Sequence, residues 1–240
     1  MYIKFPMEKE NIKAVFFDAA DTLFYIKNGL ANTYAEPAKK YGINPDPLEL
    51  RKAFGKYFPT APPLAFQAES KEELQSLEKK WWYEVVHKVY TDIGMFDDFD
   101  NYFNDLFEVF RTSAWEIFPE TKEVLTRLKT RGYKIVVVSN FDSRVYDVCS
   151  GMDILDNFDD FVISSESGYA KPSIEIFQLA LSRNKLSPEQ CVHIGDNYIN
   201  DYVCPTSIGM NAIFLDRDNE HPDKSIHKIK DLNELLNILN

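Results

Sequence analysis

From residue 118 onward, short runs of β-branched and aromatic residues alternate with helical patterns, and this alternation restricts the fold more than any other feature of the chain. Apolar runs at 134–139, 161–164, 191–195 and 212–215, with an earlier one at 14–18, are too short for buried helices and border turn-forming residues. Each predicts a strand. Between them, 120–130 carries Val124, Leu125 and Leu128 on one helical face, and 173–184 carries Ile174, Ile176, Phe177, Ala180 and Leu181. Gly132 closes the first of these helices behind a Lys/Arg-bearing end, and Pro172 marks the start of the second. Such alternation predicts the α/β class with a parallel, Rossmann-like sheet.

The first strand and the next are separated by roughly ninety residues of helical periodicity with no strand pattern, far beyond the few residues of an ordinary α/β connection. The spacing predicts an inserted helical domain with helices at 30–41, 47–58, 71–93 and 99–111. Breakers at Gly42-Ile43-Asn44-Pro45, at 59–63 and at Gly94 divide them. The expected division is therefore a core of 1–26 and 116–240 interrupted by a helical cap at 27–115.

Charge and composition narrow the function. An excess of acidic residues gives a formal charge of -11, which repels nucleic-acid phosphates and anionic membrane surfaces, so neither is an expected partner. No apolar run approaches the ~20 residues of a membrane span. The start of the chain is interrupted by charges and a proline and does not read as a signal peptide. Cys149, Cys191 and Cys204 fit neither a disulfide framework nor a zinc site, and a reducing cytoplasm is the expected location. Oligomeric state is not legible.

The residues with chemical potential fall at expected strand ends, where open α/β sheets bind ligands. Asp18 follows Ala14-Val15-Phe16-Phe17 and leads into Ala19-Ala20-Asp21-Thr22-Leu23. Ser139-Asn140 follows 135–138, Lys171-Pro172 precedes a helix, and Gly195-Asp196-Asn197, with Asp201, follows Val192-His193-Ile194. A carboxylate, a hydroxyl, a lysine and an acidic pair suit a phosphoryl group together with a hard cation.

Those four motifs, in that order, resemble the haloacid dehalogenase (HAD) superfamily of aspartate-nucleophile hydrolases, subfamily IA, over nearly the whole chain. Ser139-Asn140-Phe141-Asp142, Gly195-Asp196-Asn197-Tyr198 with Asp201-Tyr202, and Trp81-Trp82 resemble its haloacid dehalogenase-like hydrolase domain-containing branch. The resemblance implies a C1-type helical cap and a phosphatase acting on a small phosphorylated metabolite through an aspartyl-phosphate on Asp18. It implies Mg²⁺ held by Asp18, the Ala20 carbonyl and Asp196, with Asn197 and Asp201 behind them. Lys171 and Ser139 would meet the phosphoryl oxygens, and Thr22 and Asn140 would line the substrate site. One departure stands out: Ala20 occupies the position where the family's phosphatases carry the acid that protonates the leaving group and later activates water.

Loss of that acid weakens the expected phosphatase and raises an alternative, a weak or inactive phosphate-binding module. HAD dehalogenases also lack the acid but give up the carboxylate kept here as Asp196. Phosphonatase-like members carry alanine there and use a cap lysine, for which Lys27, Lys39, Lys40, Lys52 and Lys56 offer no matching context. The remaining features read as structural. Asp21 is a turn former, Trp81, Trp82 and Tyr83 pack, and His193 packs within its strand. His87, His221 and His227 have no ligand spacing.

Overall fold

The computed structural model describes residues 9–223 and 225–239, so the first eight residues, assigned above to the core, lie outside the described residues. β1 (Ala14–Phe17) is wholly buried, as a central parallel strand covered on both faces must be. After it come β2 (Phe24–Ile26), α1 (Leu30–Ala38), α2 (Pro47–Tyr57), α3 (Lys71–Ile93), α4 (Phe99–Thr112) and β3 (Trp115–Ile117). The chain continues through α5 (Thr121–Thr130), β4 (Lys134–Ser139), α6 (Arg144–Gly151), β5 (Asp160–Ile163), α7 (Ser164–Ser167) and α8 (Glu175–Asn184). It closes with β6 (Cys191–Gly195), α9 (Cys204–Ser207), β7 (Asn211–Leu215), β8 (Lys228–Ile229) and α10 (Asn233–Ile238).

Six strands pair in parallel in the order β5-β4-β1-β6-β7-β8. The two-residue period of β1 sends Val15 and Phe17 into one apolar layer with Leu125, Leu128 and Val145, and Ala14 and Phe16 into the opposite layer with Ile176, Phe177 and Ala180. The chain leaves β1 for β4 and β5 on one side, then crosses to β6 on the other. The end of β1 is thus a switch point, the crevice where such sheets take ligands.

The helical insertion has its own core, in which Tyr34, Leu50, Val86, Tyr90, Phe99, Tyr102 and Leu106 are buried together. Tyr90 donates to the Tyr102 hydroxyl at 2.8 Å, and Tyr102 donates to the Tyr34 carbonyl at 3.0 Å, so the buried hydroxyls of both are satisfied. Local signals set the helix starts: Asp46 caps α2 ahead of Pro47, and Ser70 caps α3 by accepting from Glu73 N–H.

Three expectations need correction. The insertion is not free of strands at its ends, because β2 and β3 form an antiparallel ribbon, Phe24 opposite Ile117 and Ile26 opposite Trp115, through which the chain enters and leaves the cap. Three-residue strands show no usable alternation. The helix expected over 30–41 ends at Ala38 and tightens into a 3₁₀ turn, Lys39–Tyr41, before Gly42 at φ 75°. Pro172 does not open a helix, since α8 starts only at Glu175.

The cap rests on the core through buried polar contacts beside the end of β4. Glu78 of α3, 1% exposed, accepts from the Ser143 backbone N–H at 2.9 Å and from its hydroxyl. Trp82 donates through Nε1 to Asp142 Oδ2 at 2.6 Å, and Arg144 grips both oxygens of Asp142 at 2.9 and 2.7 Å. Arg144 also lies 4.0 Å over the Phe107 ring of α4.

Candidate active site

Asp18 leaves the end of β1 with its backbone N–H donating to Ile194 O of β6 at 2.9 Å, which fixes it between the ends of β4 and β6. Lys171, 5% exposed, reaches it from the segment before α8 and donates to Asp18 Oδ1 at 2.7 Å and Asp201 Oδ1 at 2.6 Å. An ammonium has three N–H bonds. Two are committed, which leaves the third for a ligand oxygen.

Asp201 is held from below. His193 of β6, fully buried, places Nε2 at 3.0 Å from Asp201 Oδ1, and since an ionised carboxylate only accepts, Nε2 carries the proton. The Asn197 backbone N–H donates to Asp201 Oδ2 at 3.0 Å. This close tuck requires Gly195, where any Cβ would fall 2.3 Å from Asp201 Cγ. The sequence reading took His193 as packing alone. It does pack edge-on against Phe177, but its hydrogen bond also makes it a support of the acidic pair.

The charges do not balance. Oxygens of Asp18, Asp196 and Asp201 lie within 4.8 Å of one another, with one lysine among them. Burial would raise the Asp201 carboxyl, but Lys171 and the His193 hydrogen bond drive it well below the usual range. Burial lowers His193, against the pull of its Asp201 hydrogen bond. Burial also raises Asp18, against the pull of Lys171 and hydrogen bonds from Lys171 and Ser139. Among the described residues no basic side chain pairs with Asp196: burial, then Asp18, Asp201 and Asp21, push it up to about 7. An all-oxygen donor set with uncompensated negative charge fits a hard divalent cation.

The other expected residues divide differently. Ser139, at the end of β4, is buried against Asp18. Thr22, expected to line the substrate site, is fully buried and donates its hydroxyl to Asp196 Oδ1 at 3.2 Å. Asn140, expected beside it, spends its side chain on the Lys171 backbone, donating to its carbonyl at 2.8 Å and accepting from its N–H at 2.7 Å. Both therefore serve the protein scaffold. Asn197 holds Asp201 with its backbone while its side chain accepts from Asn200 N–H. Ala20 is half-buried and brings no acid, and Asp21 beside it is exposed, at φ 58°, with its N–H on Phe24 O. Desolvation first and Asp18 second raise the Asp21 carboxyl.

Relatives share this frame. Haloacid dehalogenase-like hydrolase domain-containing protein 3 of Xenopus laevis is 30% identical over 209 residues, covering 85% of this chain and 84% of that protein. Glyceraldehyde 3-phosphate phosphatase of Methanothermobacter thermautotrophicus is 29% identical over 95% of this chain and 100% of its own. The HAD hydrolase YfnB of Bacillus subtilis, bound to magnesium, shares the fold at a TM-score of 0.68 and 17% identity, over 95% of this chain and 99% of its own. The family model described as haloacid dehalogenase-like hydrolase matches residues 12–202, and with the sheet order, the helical insertion and the acidic cluster at the end of β1 the chain belongs to that family.

Proposed function

We propose that this protein is a Mg²⁺-dependent phosphatase of small phosphorylated molecules that works through an aspartyl-phosphate on Asp18. The observation that carries the reading is Asp18 held at 2.7 Å by Lys171 beside the uncompensated carboxyl of Asp196. The phosphatase relative at 29% identity adds weight to it. Asp18 would attack phosphorus, splitting hydrolysis into formation and breakdown of a covalent intermediate. Lys171, with one N–H uncommitted, would neutralise a phosphoryl oxygen, and Ser139 would donate to another. Asp18, the Ala20 carbonyl and Asp196 would hold Mg²⁺, which supplies charge neutralisation for the phosphoryl group. Thr22 steadies Asp196, and Asn140 steadies the Lys171 backbone.

The site lacks a proton donor at Ala20. General acid–base help is worth ~10²–10⁴ in rate, so substrates whose leaving group departs as a stable anion are favoured. That same gap supports a second reading, a phosphate-binding module with little turnover. A phosphonatase-like use of Lys39, Lys40 or Lys56 is disfavoured, because they are turned to exposed ion pairs with Glu36, Asp105 and Asp92.

The deciding experiment is release of nitrophenol from p-nitrophenyl phosphate with Mg²⁺ and with EDTA, in wild type and Asp18→Asn. Hydrolysis by wild type that needs the metal and is absent in the variant is expected. No release by wild type, with phosphate and Mg²⁺ still raising its melting temperature, would replace the enzyme by the binding module.

A further inference from the structure

We propose that Arg217, in the segment after β7, is a positioning residue that sets the geometry of the cation-binding acid Asp196 through Thr22; the proposal rests on the magnesium-dependent reading above. Two segments, the loop after β1 and the turn between β3 and α5, meet at its guanidinium. Nη2 donates to the Thr22 carbonyl at 2.9 Å, Nη1 donates to Glu120 Oε1 at 2.8 Å, and Cζ stands 3.5 Å over the Phe118 ring. Glu120 is 8% exposed, so its charge is held in place by this pairing.

What Arg217 grips matters more than the grip. Thr22 turns its hydroxyl onto Asp196 Oδ1 at 3.2 Å, so its carbonyl is tied to Arg217 and its side chain to the acid. The next residue is pinned to the same place, since the Leu23 carbonyl accepts from Thr121 Oγ1 at 2.8 Å and Phe118 N–H at 3.2 Å. Thr22 lies two residues before the ribbon strand β2, and Phe118 immediately follows its partner β3. The clamp therefore sits at the root of the ribbon through which the chain enters and leaves the cap, and it locks the loop that follows Asp18.

Chemistry explains why the residue is an arginine. A planar guanidinium sends two fixed N–H arms to two different acceptors and lays its face on an aromatic ring, whereas a lysine ammonium offers a point charge on a flexible stem. If charge alone mattered, lysine would serve. If the fork matters, Arg217→Lys fails as Arg217→Gln does.

The test reads metal affinity and loop protection, not turnover. In Arg217→Gln and Arg217→Lys, the Mg²⁺ concentration that gives half-maximal thermal stabilisation should rise about tenfold or more, the range for residues that orient metal ligands. In a Thr22→Val background the Arg217 substitutions should add little, because they act through the residue already changed. Amide hydrogen exchange should quicken at Asp21, Leu23 and Phe118, whose N–H groups bond within the clamped loop, and stay unchanged along β6. An unchanged Mg²⁺ midpoint with unchanged loop exchange overturns the proposal, as does full additivity with Thr22→Val or rescue by lysine. Should Mg²⁺ fail to stabilise wild type, the magnesium reading falls, and exchange at the three amides alone decides whether Arg217 positions the loop. Should Arg217→Gln not fold, Glu120→Gln, which removes the counter-charge and keeps the arginine, is read by the same two measurements.

Discussion

Removing a carboxylate from this site should stabilise the metal-free protein at neutral pH. Asp196 is pushed up to about 7 from an ordinary value of 3.8, by burial and then by Asp18, Asp201 and Asp21. Between about pH 4 and 7 the folded protein keeps a proton that the unfolded chain has released, so the native state binds more protons and stability falls as pH rises through that window. At about 1.4 kcal/mol per pH unit the displacement gives an upper bound of about 4 kcal/mol. Sharing of the proton with Asp18 and partial solvent access bring the expected cost to about 2–4 kcal/mol above pH 7. Asp196→Asn keeps an oxygen for the Thr22 hydroxyl and carries no charge. In urea unfolding with EDTA the variant should match wild type near pH 4 and exceed it by about 2–4 kcal/mol near pH 8. Excess Mg²⁺ should restore wild type at pH 8 and leave the variant unmoved. A variant no more stable than wild type at pH 8 in EDTA would refute the reasoning, because Asp196 would then be compensated by a group other than a bound cation.

Two further outcomes follow from the geometry. Ala20→Asp should recover part of the ~10²–10⁴ of acid–base catalysis in kcat/KM, which reads phosphorylation of Asp18, with the larger gain on alkyl phosphates and little on aryl phosphates; equal kcat/KM gains on both would move the acid's role elsewhere. Trp82→Phe keeps the ring between cap and core but loses the N–H donated to Asp142, and should lower unfolding free energy by about 1.5–3 kcal/mol, as for a hydrogen bond to a charged group; a loss indistinguishable from zero in chemical denaturation would show that the interface does not depend on that bond.

The strands that carry Asp18, Ser139 and Asp196 were legible because a parallel sheet buried on both faces demands uninterrupted apolar runs, and those runs end at the residues with chemistry. The insertion was legible from its length and helical period. The β2–β3 ribbon was not, since its members are three residues each and pair across the whole cap. The supports of the site were hidden for the same physical reason. Thr22 meets Asp196 across 174 residues, Arg217 meets Thr22 across 195, and Glu78 meets Ser143 across 65. No local period encodes such pairings. His193 packs as its place in an apolar strand predicts; what stayed hidden is its Asp201 bond, which exists because Gly195 lets the chain fold back tightly beneath the strand end. The family resemblance placed Thr22 and Asn140 along the substrate site, whereas the hydrogen bonds their side chains make are internal.

In the proposed aspartyl-phosphate mechanism the absence of an acid at Ala20 touches two steps unequally, and this yields a kinetic signature. In formation of the aspartyl-phosphate the missing proton matters only when the leaving oxygen departs as a strong base. In breakdown, the same missing group can no longer take a proton from the attacking water, whatever the substrate was. Lys171, together with a cation held by Asp18 and Asp196 as proposed, would neutralise the phosphoryl oxygens in both steps but move no proton. Aryl and acyl phosphates should therefore phosphorylate Asp18 quickly and then wait on a common slow hydrolysis, giving a burst of leaving group near one equivalent per protein and similar kcat values. Alkyl phosphates should show no burst, because formation limits them. Rapid-quench measurement of the released phenol tests this directly, with Ala20→Asp shrinking the burst by accelerating the second step. Steady release from the first turnover on aryl phosphates, in wild type, would mean that water is activated by another residue and that Ala20 is not the gap in the proton pathway.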